Sequence, residues 1–415
     1  MGEVEVHLDL DGRTVQVGLV RVSPARNSET VSFEYTHAWL ADPNRFSLEP
    51  ALPTTKGVFH PGADEPLFGA LGDSAPDTWG RKLMQRKERK DAKRQGRAPR
   101  TLLESDYVLG VADEARLGAV RFQRVGSEDF ETTGGDRIPP LIDLGKLLDS
   151  TQRILRDVDT EDDLRLVLAP GSSLGGARPK ASVRDHHGQL SIAKFPKETD
   201  DYSLETWEEI SMRLAAQCGI EVPVHRLVHV NEKKVLLSHR FDRNGAARIP
   251  FLTAMAMMRL KDGVTSSYPE LVDTLSHHSA HAKRDAKKLY ERIAFFVMIS
   301  NVDDHLRNHA FLRLSKNGWS LSPLYDINPT PTDLKPRILS TNITVDSADC
   351  SVDLLEEASE YFDLGLSEAR LIIKRVAEAT NSWRSVAASL EVRPSEVDRM
   401  ASAFEHPDRV RALAL

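Results

Sequence analysis

The chain predicts an α+β fold in two lobes, preceded by a small β-rich subdomain. Three observations carry that prediction. Apolar residues alternate at the start, in Val4, Val6, Leu8 and Leu10 and again in Val15, Val17 and Leu19. Near the middle, a glycine-rich stretch from Pro170 to Val183 leads into short alternating runs divided by a turn. Beyond Phe251 the alternation fades and helical periods dominate. A chain of 415 residues is too long for one core, so two or three domains are expected.

Composition narrows the class. Hydrophobic residues make up 40% and charged residues 28%, which suits a water-exposed globular protein. No apolar run could span a bilayer, and Met-Gly-Glu-Val-Glu-Val has neither the basic start nor the apolar core of a secretory signal. Val6 stands where a myristoylation signal needs Ser or Thr. A cytoplasmic location with no membrane partner is expected. Cys218 and Cys350 lie far apart and outside any metal-ligand spacing, so both are expected as reduced thiols. The net charge of -7 argues against a surface that grips nucleic acid all over.

Each element has its own signal. Asp11-Gly12 between the first two runs favours a hairpin, and Val31, Phe33 and Tyr35 continue the sheet. Pro53, Gly57, Pro61, Gly62 and Pro66 break the pattern. Asp77 is placed to cap a helix running through Leu83. Residues 81–100 are strongly basic, offset only by Glu88 and Asp91. A solvated helix face is the favoured reading, with DNA or an acidic partner as the alternative. Tyr107 to Gly110 reads as helix, Leu117 to Phe122 as strand, and the glycines at 126, 134 and 135 as a linker. Helices follow over Leu141 to Leu155 and Glu161 to Leu168. Val222-Pro223-Val224, Leu227-Val228 and Val235 to Ser238 read as strands. Asp285 to Ser300 reads as helix, and Phe311 to Leu321 as a hairpin. Ser367 and Ser395 are expected to cap the terminal helices, with Leu371, Ile372, Val376, Trp383 and Val386 facing inward. The expected domains are 1–130, 136–245 and 246–415.

The chemistry concentrates in Ile299 to His309. Asp303 and Asn308 stand in the D-x-x-x-x-N relation of a kinase catalytic loop, where Asp meets the substrate hydroxyl and Asn holds a metal ion. Upstream, glycine loop, strand, turn and a strand bearing Lys194 follow the layout of a kinase nucleotide lobe. The small residues let main-chain N–H groups approach an anion, and Lys180 adds a point charge. The loop is neither Walker A nor G-x-G-x-x-G. Glu208, on a helix from Trp207 to Gly219, is the candidate partner of Lys194. His239 to Arg243 falls where a hinge would offer main-chain groups to adenine. Asp326 sits where a kinase places its second metal-binding acid, though no D-F-G is written. Taken alone, each motif also has a bland reading: a capped helix end, a flexible turn, an exposed lysine, a solvated acid.

Taken in order, these segments resemble the HipA family of serine/threonine-kinase toxins from bacterial toxin–antitoxin pairs. The resemblance runs almost end to end, from Asp73–Arg81 and Asp106–Phe122 through Gly171–Ala181, Ala193-Lys194, Glu208–Ala215 and Arg240–Arg243 to Asp303–Asn308 and Tyr325-Asp326. It implies a two-lobed protein-kinase-like (HipA-like) fold with an extra N-terminal β-rich subdomain and an all-helical C-terminal lobe. It implies that Asp303 activates a protein Ser or Thr, that Asn308 and Asp326 hold Mg²⁺, and that Lys194 serves the phosphates of ATP. The implied nucleotide set is Ser173, Leu174, Gly175, Gly176, Ala177, Arg178, Lys180, Lys194, Glu208, His239, Arg240, Phe241, His305, Asn308, Tyr325 and Asp326. Ser173, with Ser172 as rival, falls on the family's autophosphorylated serine; a phosphate there would repel the triphosphate and switch the enzyme off. The implied partners are a HipB-like helix-turn-helix antitoxin, operator DNA through that complex, and a target such as an aminoacyl-tRNA synthetase, with growth arrest as the outcome. The alternative is a kinase-like corepressor that acts mainly by stiffening the antitoxin on DNA. The chain departs from some members at Arg178, where they carry Gln, and Pro179 removes a donor from the loop.

Overall fold

The computed structural model describes all residues except 1, 26–27, 63–64, 132–137, 139–140 and 169–175, and leaves out the side chain of residue 142. Ser172, Ser173, Leu174 and Gly175 therefore lie outside the described residues. The chain divides into two compact units: residues 1–198 with 228–252, and residues 199–227 with 253–415.

The first unit opens with a sheet of order β4-β3-β2-β1-β5, comprising β1 (Gly2–Leu10), β2 (Arg13–Pro24), β3 (Glu29–Tyr35), β4 (Val58–Phe59) and β5 (Val120–Arg124). Asp11 at φ 52 and Gly12 at φ 78 make the first turn, the left-handed pair that a two-residue hairpin requires. Val4, Val6 and Leu8 are buried on one face of β1, as the alternation predicts. A second sheet, of order β6-β7-β9-β8, contains β6 (Lys180–Arg184), β7 (Leu190–Lys194), β8 (His225–Val230, which the unit boundary crosses) and β9 (Lys233–His239). Val222-Pro223-Val224 is not a strand; Pro223 has no N–H to give a ladder, and β8 starts two residues later.

This unit also contains the helices α1 (Thr78–Arg94), α2 (Glu104–Leu109) and the pair α3 (Leu144–Leu155) and α4 (Glu161–Leu168). Asp77 caps α1, accepting the Gly80 N–H at 2.6 Å. Trp79, Leu83 and Met84 on the buried face of α1 share one core with Leu147, Leu164, Val183, Ala193 and Val235. The basic helix is thus packed into the core behind the lysine-bearing sheet.

The second unit is mainly helical and contains α5 (Leu204–Gln217), α6 (Tyr268–His278), α7 (Ala282–Ile299), α8 (Leu366–Thr380) and α9 (Pro394–Phe404), with a hairpin of β10 (Ala310–Ser315) and β11 (Gly318–Leu321). Seven consecutive residues of α7, Ile293 to Ile299, are at most 2% exposed, so this helix is the axis of the unit. Trp383 stacks on Phe404 at 4.6 Å, with Trp207 of α5 beside them. Two sequence expectations fail here. Gly365 and Arg393 occupy the cap positions of α8 and α9, and Ser367 and Ser395 lie inside the first turns. Leu371 is 68% exposed, because the buried stripe of α8 runs through Ala369, Ile372, Ile373 and Val376. Cys218 and Cys350 are both buried free thiols.

Candidate active site

The loop after α7 carries the acids. Ser300 ends the helix in the left-handed region at φ 53, its N–H reaching back to the Phe296 carbonyl. Thr330 N–H then bonds the Ser300 carbonyl at 3.1 Å. From here the chain alternates like a strand. Val302, Asp304, Leu306 and Asn308 are buried, while Asp303, His305 and Arg307 are exposed. Two adjacent acids therefore meet opposite environments.

Asp304 points inward and is fully buried. Its Oδ2 accepts from the Tyr268 hydroxyl and its Oδ1 from the Ser340 N–H, both at 2.5 Å. The Thr341 hydroxyl bonds its carbonyl at 2.9 Å, and the Ser340 hydroxyl bonds that of Val302 at 2.8 Å. Burial pushes the Asp304 carboxyl up to about 7 despite these donors. Burial pushes the neighbouring His309 down to about 3, with Arg292 acting the same way. Tyr268 touches both, at 3.2 Å from His309 Nε2. Asp304 and His309 thus fasten the loop to α6 and to residues 340–341, a role sequence reasoning missed. Tyr268 lies far upstream and carries no motif.

Asp303 faces water. The Asn308 side chain donates from Nδ2 to the Asp303 carbonyl at 2.8 Å, and the Asn308 N–H bonds the His305 carbonyl at 2.7 Å. This fixes the amide. Asp326 lies on a segment stitched to the same loop: Tyr325 OH donates to the Arg307 carbonyl at 2.7 Å, and Asn328 N–H to Asn301 Oδ1 at 3.0 Å. Asp326 has φ 54, uncommon outside glycine and costly to hold. The structure therefore brings Asp303, Asn308 and the Asp326 segment together around one loop. An amide oxygen and a carboxylate are the hard donors Mg²⁺ takes when substrate phosphates complete its shell. The residues present fit that ion. Among the described residues no group of three His, Cys, Asp or Glu could hold a metal by itself.

The other expected residues sit on separate elements. Glu208 is buried on α5 in the second unit, and Lys194 is half-buried on β7 in the first. Gly176 and Ala177 face solvent, Arg178 is half-buried, and Lys180 is buried. Arg240 is committed to structure. Its guanidinium grips Asp242 and the carbonyls of Ala115 and Arg116, and its N–H bonds the Leu190 carbonyl. Burial raises the Asp242 carboxyl, but Arg240 and Arg243 outweigh it and hold the group below the usual range. His239 and Phe241 are both half-buried.

The basic run of α1 is largely spent inside the unit. Arg86 pairs with Asp157 at 2.5 Å and with Asp159, and Lys90 pairs with Asp159 at 2.6 Å. Arg94 reaches Asp91 and Glu161, Arg97 pairs with Glu88, Arg81 with Glu104, and Arg100 with Asp106. Lys82, Arg89 and Lys93 stay exposed. The solvated-face reading is thus only partly right: Arg86 and Lys90 clamp α1 to the turn before α4, and Arg94 reaches the first residue of α4.

A lysine-bearing antiparallel sheet and a helical unit with an outward Asp in a D-x-x-x-x-N loop define a kinase-like protein. The chain belongs to the HipA-like C-terminal domain family, whose model matches residues 172–384, about half of its length. It is 25% identical over 396 residues to "Putative kinase Y4mE" of Sinorhizobium fredii, covering 84% of this chain and 85% of that one. A "Putative kinase" of Haemophilus influenzae is 24% identical over 197 residues, 41% of this chain and 57% of the relative. The fold matches HipA from Shewanella oneidensis, solved with HipB and its operator DNA, at a TM-score of 0.69 and 18% identity, over 99% of this chain and 96% of that one. Among the described residues no helix is long and apolar enough to cross a membrane.

Proposed function

We propose that the protein is a serine/threonine kinase toxin of a toxin–antitoxin module, moving the γ-phosphoryl of ATP to a protein Ser or Thr and to its own Ser173 (or Ser172). The observation that carries this reading is the two-faced loop: Asp304 anchors it from inside while Asp303 stands free in front. Asp303 receives the hydrogen bond of the incoming hydroxyl and takes its proton during attack. Asn308 Oδ1 and the Asp326 carboxylate would hold Mg²⁺, which when bound neutralises charge on the phosphates. Lys194 steadies the phosphates, and the His239 to Phe241 backbone borders adenine. The three-part organisation 1–130, 136–245 and 246–415 is carried over as part of this reading. A HipB-like antitoxin is the proposed partner, supported by the fold match to a HipA solved with HipB. The target, an aminoacyl-tRNA synthetase in the implied case, is to be sought among proteins labelled by the kinase.

The test is transfer of labelled γ-phosphate from Mg-ATP, followed by phosphosite mapping. Asp303→Ala should lower transfer by about 10²- to 10⁴-fold, the usual worth of a positioned base, while the exposed site leaves folding intact. Unchanged transfer in a folded Asp303→Ala protein rejects the assignment.

A further inference from the structure

Lys180 is buried on β6, and Lys194 is half-buried on β7. In the antiparallel pairing of β6 with β7, Lys180 stands directly opposite Lys194. The Phe195 N–H bonds the Pro179 carbonyl at 3.0 Å, so Lys180 and Lys194 form a non-hydrogen-bonded pair, where side chains on one face approach most closely. Like charges so placed repel unless one is neutralised. Asp77 supplies the counter-charge. Its Oδ2 lies 3.4 Å from Lys180 Nζ, and the two side chains are 2% and 3% exposed. Asp77 cannot drift, because its Oδ1 is the cap on α1. Two residues on, the Trp79 N–H reaches the Gly176 carbonyl at 3.4 Å, and the Trp79 ring is buried in the core. The first turn of α1 therefore touches the segment 176–180 at both ends.

We infer that Asp77 and Lys180 form a buried tether that anchors the base of the glycine loop to α1, leaving Lys194 as the lysine that serves the phosphates. The nucleotide half of this inference rests on the kinase reading above. An ammonium held out of water against a fixed carboxylate could swing to a phosphate only by leaving Asp77 buried and unpaired, which is strongly disfavoured. Lys180 is thus a positioning residue, and the stretch from Ser74 to Arg81 gains a role beyond starting a helix.

The full-length protein tests this with Asp77→Asn, Lys180→Met, their double variant and Lys194→Met, followed by melting temperature and calorimetric affinity for Mg-ATP. Asn keeps the cap on Gly80. Each single change at the pair leaves one buried charge alone and should lower the melting temperature; the double variant should recover most of that loss. The double variant loses the tether but no proposed phosphate ligand, so it should lose less Mg-ATP affinity than Lys194→Met. Lys194→Met should lose at least about tenfold, as for a lost hydrogen bond between charged groups. Additive melting losses, or a double variant as weak for Mg-ATP as Lys194→Met, overturn the inference. If the single variants fail to fold, the double variant against Lys194→Met decides it. Wild-type protein that binds no Mg-ATP would sink the kinase reading instead, and the melting cycle alone would then judge the tether.

Discussion

Replacing Asp304 by Asn should change how stability depends on pH, in a direction the structure fixes. The folded carboxyl titrates near 7 against an ordinary 3.8. Between those values the native state holds a proton that the unfolded chain releases. Stability from this group is therefore full below about pH 4 and is lost as pH rises to 7, by roughly 4 kcal/mol for a shift of about three pH units. His309 has the opposite sign: held down to about 3 from 6.5, it removes stability as pH falls. Over roughly pH 4 to 6.5 the two groups cancel in the wild type. Asn removes one side of that balance and can still be satisfied. Its oxygen accepts from Ser340 N–H, its NH₂ donates to Tyr268, and Tyr268 turns its proton to His309. Urea unfolding of both proteins at pH 4.5, 6 and 8 is the assay. Relative to wild type, Asp304→Asn should gain roughly 3 kcal/mol between the lowest and highest pH. A difference that stays constant across the series would show that Asp304 does not titrate in this range and that the burial argument is wrong.

Two further outcomes follow from packing. Asp159→Asn strips the fully buried carboxylate that Arg86 and Lys90 share; both cations are partly exposed, so the loss should be nearer 1–3 kcal/mol than the full cost of a broken buried pair, read from urea midpoints. Gly318→Ala should cost about 1–3 kcal/mol in thermal unfolding, because φ is 152° there and a Cβ would sit 2.7 Å from the His278 carbonyl oxygen.

Local signals were legible where the chain interacts with itself at short range. Asp11-Gly12 specified its hairpin, Asp77 its helix, and the alternation in Leu190 to Lys194 its strand. That Asp303 and Asn308 share one loop was readable from their spacing, and Tyr325 and Asn328 stitch the Asp326 segment to that loop. What escaped depends on distant partners. Nothing beside residues 81–100 reveals that Asp157, Asp159 and Glu161 wait some seventy positions on to take up Arg86, Lys90 and Arg94. Asp303 and Asp304 look alike in sequence, and only Tyr268 and Ser340 separate them. The caps at Ser367 and Ser395 failed because residue preference competes with chain path: Gly365 and Arg393 already hold the extended backbone that a cap needs.

The alternation through residues 302–308 also restricts which kinds of mutation this protein can absorb. Substituting an outward residue leaves the inward set in place, whereas inserting or deleting one residue between Asp303 and Asn308 would break the amide-to-carbonyl bond that sets their spacing. Drift in this stretch should therefore preserve its length more strictly than its composition.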